Sequence, residues 1–296
     1  MIPLAYTEPV FRPPSEARSL ILQVTNGCSW NRCTFCEMYT LPQKKFAVKP
    51  IAETNAILAA IADAGTPVRR VFLADGDAMT LSFRRLEEIM QAIRRHLPDV
   101  QRVSSYCLPR NLRNKTVEEL AALRELGLDL FYVGCESGDD LVLERVNKGE
   151  TFDTSLAALE TIKAAGAKSS VMILNGMGGK RYSEQHAVNS ARLMNSAQPE
   201  YLATLVVSFT QGMEKYQAGF EGEFEPLDQP GLFHEMLWLL DTLELERTIF
   251  RSDHASNYLV LKGTLNRDKQ RLLDIVRQAL ERPGSVPLRP EWARGL

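Results

Sequence analysis

The chain has 296 residues, 45% hydrophobic and 24% charged, a composition that excludes a wholly disordered chain, a collagen and a coiled coil. The 35 basic and 37 acidic residues leave a net charge of −2, so no overall basic surplus favours a nucleic acid or an anionic membrane as partner. We expect a cytoplasmic protein, because no signal-peptide pattern opens the sequence and no stretch is long and apolar enough to cross a membrane.

Four prolines among the first 18 residues predict an extended arm. Beyond the arm, short apolar runs typical of buried strands alternate with amphipathic stretches typical of helices. We predict six strands, at residues 19–25, 68–74, 101–107, 129–134, 168–175 and 201–209. We predict five helices between them, at 52–64, 82–97, 116–127, 153–165 and 183–196. Ser82 and Ser183 are the expected caps of two of these helices, and Thr116 to Glu119 forms a capping box.

Strands and helices that alternate at about 30-residue spacing predict an α/β fold built from parallel βαβ units. The pattern by itself permits either closure toward a barrel or an open doubly wound sheet. From Thr210 onward the alternation ends, and we expect a loop at 219–228 followed by helices at 231–243 and 267–279. We therefore predict that residues 210–296 are an extension of the preceding domain rather than an independent one.

Three of the five cysteines fall within nine residues, in the segment Cys28-Ser-Trp-Asn-Arg-Cys33-Thr-Phe-Cys36. The segment follows the first strand, where the loops of parallel α/β folds build active sites. A structural zinc site normally has four ligands, so zinc would need a fourth from elsewhere in the chain. An iron–sulfur cluster with three thiolate ligands would instead leave one iron open for a substrate or cofactor.

The cysteine segment resembles the signature loop of the radical S-adenosylmethionine (SAM) superfamily. That family has a Cys-x3-Cys-x2-Cys motif after the first strand, whereas this chain has Cys-x4-Cys-x2-Cys. The second gap has the family's length, and an aromatic residue, Phe35, precedes the last cysteine, as in the family. Asn31 and Arg32 are the candidates for the extra residue.

Three further segments resemble motifs of the same family, in the same order along the chain. Asp75-Gly76-Asp77 follows the second strand and resembles the Gly-Gly-Glu turn that meets the amino group of SAM. The segment from Gly134 to Gly138 is similar to the Gly-x-Glu-Ser-Gly segment of one branch. That branch contains the Elongator catalytic subunit, the methylthiotransferases and the oxygen-independent coproporphyrinogen oxidases. The end of the fifth strand, at Asn175, resembles the stretch that backs the adenine.

The resemblance covers roughly residues 19–209 and implies a partial (β/α)6 TIM-like barrel with a C-terminal helical extension. It also implies two cofactors, a single 4Fe–4S cluster and SAM. Cys28, Cys33 and Cys36 would be the metal ligands. The implied SAM-binding residues are Phe35, Asp75, Gly76, Asp77, Glu136, Ser137 and Asn175.

Two features outside these motifs carry weaker hypotheses. Cys107 and Cys135 stand at strand ends and could face the barrel lumen, although buried cysteines are usually inert. The polar cluster with Arg251, His254 and Asn257 could contact a substrate or the SAM carboxylate, or could be a satisfied loop network.

The resemblance implies an enzyme that cleaves SAM to a 5′-deoxyadenosyl radical, with an electron donor such as flavodoxin or ferredoxin. We expect a small-molecule substrate rather than a nucleic acid, because the short tail and near-zero net charge give little support for an RNA-binding appendage. The alternatives are a tRNA-modifying radical SAM enzyme and a non-catalytic, zinc-stabilised α/β binding protein.

Overall fold

The computed structural model describes residues 6–295 of the chain. Within this range no helix combines the length and the apolar character that spanning a membrane requires. The chain divides into two compact units. The first comprises the described residues up to Asn31 with Cys36–Val133 and Glu160–Ser169, and the second comprises Arg32–Phe35, Gly134–Leu159 and the described residues from Ser170 onward.

The first unit consists mainly of parallel strands joined by helices. Its strands are β1 (Leu20–Gln23), β2 (Thr25–Asn26), β3 (Ala47–Val48), β4 (Arg70–Ala74), β5 (Arg102–Cys107) and most of β6 (Leu128–Glu136). Its helices are α1 (Ile51–Asp63), α2 (Phe83–His96) and α3 (Val117–Glu125). Strands β1, β4, β5 and β6 are parallel neighbours in that order, and β2 and β3 form a separate antiparallel pair.

The second unit continues the alternation and contains the end of β6. Its helices are α4 (Asp140–Arg145), most of α5 (Phe152–Ala164), α6 (Gly179–Ala197), α7 (Glu214–Gly219), α8 (Gln229–Thr242) and α9 (Lys269–Glu281). Its strands are most of β7 (Lys168–Asn175), β8 (Tyr201–Val206), β9 (Thr248–Ser252) and β10 (Leu261–Leu265). Strands β7, β8 and β9 are parallel neighbours, and β10 is antiparallel to β9.

Local sequence signals explain much of this architecture. Four consecutive residues of β4, Val71 to Ala74, are completely buried, as expected for a parallel strand covered on both faces. The Ser82 hydroxyl caps α2 by accepting the Arg85 N–H at 3.3 Å. The predicted capping box of α3 is present, because Thr116 and Glu119 each accept the other's backbone N–H.

Several predicted boundaries are wrong. Helix α6 begins at Gly179 rather than at Ser183, and the Ser183 hydroxyl donates to the Glu235 side chain of α8 instead of capping the helix. Strand β6 continues to Glu136, two residues beyond its predicted end. The region after Thr210 contains α7, β9 and β10 in addition to the two predicted helices. Strands β9 and β10 are short, and their pairing depends on distant neighbours rather than on local periodicity.

Candidate functional site

The cysteine loop lies between β2 and the turn Pro42–Lys44. Cys28, Cys33 and Cys36 are partly exposed, and none of the five cysteines forms a disulfide. Across residues 6–295, no group of three His, Cys, Asp or Glu side chains has the arrangement that holds a single metal ion. An iron–sulfur cluster takes each thiolate on a different iron, so its ligands lie farther apart than those of one ion. The three thiols of the loop are therefore compatible with the ligands of an iron–sulfur cluster.

The extra residue of the cysteine motif coincides with an unusual backbone conformation. Asn31 has a φ of +40°, close to the left-handed region that asparagine tolerates better than most residues. Its side-chain amide donates a hydrogen bond to the Tyr39 carbonyl oxygen at 3.0 Å. Of the two candidates for the extra residue, Asn31 is the one with a positive φ.

Asp75 follows β4 and anchors the first turn of the cysteine loop. Its Oδ2 accepts hydrogen bonds from the Gly27 N–H and from the Gln23 side-chain amide, each at 3.3 Å. The same oxygen forms an ion pair with Lys44, and both side chains are completely buried. The loop is thus tied to the end of β4 immediately before Cys28.

Asp77 holds the other side of Cys28. Its Oδ2 accepts hydrogen bonds from the Ser29 N–H at 3.1 Å and from the Ser29 hydroxyl. Burial raises the pKa of Asp77, although the hydrogen bonds from Ser29 and Asn111 oppose that rise. Asp77 makes no side-chain capping bond to the short helical turn that follows it. Its carboxylate instead positions the backbone next to the first cysteine.

Gly76 lies between the two carboxylates and against the ring of Tyr39. A Cβ atom at position 76 would lie 2.3 Å from Tyr39 Cε2, so the packing leaves no room for a side chain at this position. Three buried oxygens in this region, Tyr39 Oη, Asp75 Oδ1 and Asp77 Oδ1, accept or donate no hydrogen bond within residues 6–295. Buried polar atoms are normally paired, so this group of oxygens fits a site for a polar ligand.

The Tyr39 hydroxyl, which lies next to the Gly76 turn, is affected electrostatically by two of the cysteines. The pKa of Tyr39 is raised, mainly by burial and then by the negative charge of Asp75. The thiolate charges of Cys36 and Cys28 add to the rise. The charges of Asp75, Cys36 and Cys28 therefore all disfavour ionisation of this hydroxyl.

In the second unit, Glu136 and Lys148 form a buried ion pair close to the middle cysteine. Glu136 ends β6 with a φ of +67°, and Lys148 Nζ donates to its Oε1 at 3.1 Å. A Cβ on Gly134 would lie 2.2 Å from Glu136 Oε1, so the glycine makes room for the carboxylate. Burial lowers the pKa of Lys148, but the negative charges of Glu136 and Cys33 outweigh burial and the net shift is upward.

Phe35 packs mainly inside the second unit. It contacts an apolar cluster formed by Val142, Val146, Met177, Tyr216, Phe220 and Phe224. The Thr34 N–H donates to the Val146 carbonyl oxygen at 3.0 Å, which holds this part of the cysteine loop. Lys148 Nζ lies 5.8 Å from the Phe35 ring centroid. The predicted contact of Phe35 with adenine remains a prediction.

Ser137 and Asn175 are both buried at strand ends. Ser137 Oγ lies 2.7 Å from His186 Nδ1 and accepts the Asp139 N–H at 3.0 Å. Asn175 is the last residue of β7, and its carbonyl oxygen accepts the Val207 N–H at 2.9 Å. The Ser137 hydroxyl is therefore engaged within the protein, and the proposed SAM contacts of both residues remain predictions.

The predicted substrate cluster forms a loop network in part. Arg289 Nη1 donates to the carbonyl oxygens of His254 and Asn257, and the Asn257 amide donates to a carbonyl of β8 at 2.8 Å. Burial and the charge of Arg289 lower the pKa of His254. Arg251 is exposed on β9 and donates to the carbonyl of the preceding residue at 3.2 Å. Sequence reasoning missed Arg289, which lies 35 residues from His254.

The two remaining cysteines are buried. Cys107 Sγ donates to the Leu108 carbonyl oxygen at 3.4 Å. Burial raises the pKa of Cys135 to about 12, so this thiol is protonated at neutral pH. Both observations favour the packing role that buried cysteines usually have.

A parallel α/β fold with a thiol-rich loop after its first strand defines a class of protein that holds a cofactor at the strand ends. The family model of the radical SAM superfamily matches residues 22–194, more than half of the chain. The chain belongs to the radical SAM superfamily. Membership identifies it as an enzyme with a 4Fe–4S cluster and SAM as cofactors.

Individual relatives are distant. The heme chaperone HemW of Bacillus subtilis is 24% identical over 134 residues, which cover 44% of this chain and 35% of HemW. The chain thus spans about a third of the length of this relative.

Solved structures agree in fold. Coproporphyrinogen III oxidase (HemN) of Escherichia coli has a TM-score of 0.57 at 15% identity, over 75% of this chain and 52% of that one. Methylornithine synthase (PylB) has a TM-score of 0.51 at 17% identity, over 92% of this chain and 83% of that one. These likenesses confirm the predicted α/β fold.

Proposed function

We propose that the protein cleaves SAM reductively to start radical chemistry on a small-molecule substrate, with the cluster held by Cys28, Cys33 and Cys36. When bound, the cluster supplies one electron to the sulfonium of SAM, whose S–C5′ bond breaks to give methionine and a 5′-deoxyadenosyl radical that takes a hydrogen atom from the substrate. The observation that carries the proposal is the family match, which includes a cysteine loop anchored by buried carboxylates.

The Gly76 turn is proposed to receive the amino group of SAM. The Oδ1 atoms of Asp75 and Asp77, which have no hydrogen-bond partner within residues 6–295, are acceptors for an ammonium donor. Gly76 supports this arrangement because its missing side chain leaves the space that the Tyr39 ring occupies beside these oxygens. Both carboxylates also hold the backbone on either side of Cys28, so ligand binding and cluster binding would depend on the same turn.

In the second unit, the Glu136–Lys148 pair is proposed to serve the cluster and SAM together. The positive charge of Lys148 would attract a thiolate at Cys33, which is the form of cysteine that binds iron. Glu136 keeps that charge buried and in place through its hydrogen bond. Phe35 and the Asn175 turn are proposed to contact the adenine and the nucleoside, as the family resemblance implies.

We further propose that the enzyme belongs with the HemN- and HemW-like branch and receives electrons from a flavodoxin or a ferredoxin. The segment resembling Gly-x-Glu-Ser-Gly and the likenesses to HemN and HemW support this placement. A small molecule is the proposed substrate because the net charge of −2 provides no general attraction for RNA. Arg251, His254 and Asn257 remain proposed substrate contacts, and residues 210–296 a proposed extension of the catalytic domain.

The test is anaerobic reconstitution with iron and sulfide, followed by addition of SAM and dithionite and chromatography for 5′-deoxyadenosine. Wild-type protein is expected to form a brown cluster and to produce 5′-deoxyadenosine. Cys33→Ala is expected to produce none. Cys107→Ala is the matched control, because it removes a cysteine of the first unit outside the motif and should leave the product unchanged.

Two other outcomes would redirect the proposal. A cluster without 5′-deoxyadenosine would call for a SAM-binding measurement, since cleavage in some systems waits for the substrate. A colourless protein that retains zinc after purification would contradict the proposal and favour a zinc-stabilised binding protein.

A further inference from the structure

Glu235 on α8 places a buried carboxylate against the turn that follows β7. The side chain is 1% exposed. Its Oε1 accepts the Gly176 N–H at 2.5 Å, and its Oε2 accepts the Ser183 hydroxyl at 2.6 Å. Helix α8 therefore binds the β7 turn and helix α6 at the same time.

The network continues from α6 to the end of β6. His186 Nε2 lies 3.1 Å from the Leu174 carbonyl oxygen, which can only accept, so Nε2 carries a proton. His186 Nδ1 lies 2.7 Å from Ser137 Oγ. His186 Nε2 is also 4.0 Å from Glu235 Oε1. The histidine thereby bridges the strand ends of β6 and β7.

These three residues resemble a catalytic Ser-His-Glu triad only in composition. Ser137, His186 and Glu235 are each no more than 1% exposed. The serine oxygen also accepts the backbone N–H of Asp139, so its hydrogen-bonding capacity is used inside the protein. A nucleophile must reach a substrate. The network instead holds backbone in place.

Helix α8 contacts the turn at Gly176 through both packing and a hydrogen bond. Gly176 has a φ of +83°, a conformation that glycine adopts readily. A Cβ at this position would lie 3.3 Å from the Leu232 side chain of α8, so the helix also packs against the turn. The Gly176 N–H is satisfied by Glu235, and losing that acceptor would leave a buried donor unpaired.

We infer that Glu235 is a positioning residue for SAM: it fixes the Asn175–Gly176 turn in the conformation that receives the nucleoside. The inference rests on the proposed function, because that function assigns this turn to SAM. Glu235 lies outside residues 22–194, the part that matches the family. The chain's own C-terminal segment would thus complete a site whose other parts belong to the superfamily.

Two variants distinguish the effect of the charge of the Glu235 side chain from the effect of its length. Glu235→Gln keeps an oxygen that can accept the Gly176 N–H, whereas Glu235→Asp keeps the charge but shortens the side chain by one methylene. His234→Ala, an exposed position on the same helix, is the control. Iron content and thermal midpoint are measured first, so that loss of cluster or of folding is seen separately.

The first readout is hydrogen–deuterium exchange of the peptide around Gly176, in protein without cofactors. Glu235→Asp is expected to exchange faster there than wild type, and Glu235→Gln and His234→Ala are not. The second readout is the SAM dissociation constant of the anaerobically reconstituted protein by equilibrium dialysis. Losing one hydrogen bond to a buried donor is expected to weaken SAM binding about tenfold in Glu235→Asp, and by less than about twofold in the other two.

Several results would overturn the inference. Faster exchange in Glu235→Asp with unchanged SAM affinity would show that the turn does not receive SAM, and unchanged exchange would show that Glu235 does not hold the turn. If Glu235→Asp fails to fold, Ser183→Ala removes one of the two bonds that orient the carboxylate, and the same two readouts decide. Wild-type protein that binds no SAM would refute the proposed function, while the exchange data would still test the role of Glu235 in the turn.

Discussion

Lys44 and Asp75 form an ion pair in which both side chains are completely buried, beneath the first turn of the cysteine loop. Replacing Lys44 with methionine keeps the length of the side chain and removes its charge. Asp75 Oδ2 then retains only two long hydrogen bonds of 3.3 Å, from Gln23 and Gly27, and its Oδ1 has no partner within residues 6–295. The carboxylate is left charged and buried without a counter-ion.

Breaking a buried pair in this way typically costs about 3–5 kcal/mol, so we expect Lys44→Met to lower the free energy of unfolding by that amount. The double variant Lys44→Met/Asp75→Leu should recover most of the loss, because it removes the stranded charge as well. Iron uptake should fall in both variants, since the Gly27 N–H is held less firmly in each.

Urea unfolding of the cofactor-free protein, followed by far-ultraviolet circular dichroism, measures these differences. Lys180→Met is the control, because its pair with Glu225 is largely exposed and should contribute no more than about 0.5 kcal/mol. A loss below about 1 kcal/mol in Lys44→Met, or a double variant less stable than the single one, would mean that the buried pair does not stabilise the fold.

Three further expectations follow from the geometry around the cysteines. Iodoacetamide at pH 8 should label Cys33 in the folded protein but leave Cys135 unlabelled. A pKa of about 12 leaves only about one Cys135 thiol in 10,000 ionised at that pH. Mass spectrometry after digestion measures the labelling, and equal labelling of the two cysteines would contradict this expectation. Gly76→Ala should destabilise the protein by about 1–3 kcal/mol, because the new Cβ would lie 2.3 Å from Tyr39; a thermal midpoint equal to that of wild type would mean that the turn can move. The pKa of Asp77 is raised above its ordinary 3.8, so its contribution to stability declines as pH rises from that value through the raised folded-state pKa. Asp77→Asn should remove that part of the decline in urea midpoints measured across pH, and an unchanged slope would argue against the shift.

Local sequence signals were enough to predict the parts of the protein that depend on neighbouring residues. Strand β4 is recognisable from an uninterrupted apolar run, and α3 from the capping box at Thr116. These signals are local, because burial on both faces and capping act within a few residues of the chain. The family resemblance was likewise carried by short segments, chiefly the cysteine loop and the segment from Gly134 to Gly138, and the cluster chemistry is what that resemblance implies.

The hydrogen-bond partners of the polar residues in these segments depend on the packing of the folded chain. The resemblance implies that Asp75 and Asp77 contact SAM, and the structure shows that they also accept hydrogen bonds from the cysteine loop 48 residues earlier. Ser183 was expected to cap α6, and its hydroxyl donates instead to Glu235, 52 positions later. Such contacts produce no periodic pattern in the sequence, because the partner of a buried polar atom is determined by which distant residues pack next to it. The strands and the cysteine motif were therefore predictable, whereas the partners that hold them in place depended on the folded chain.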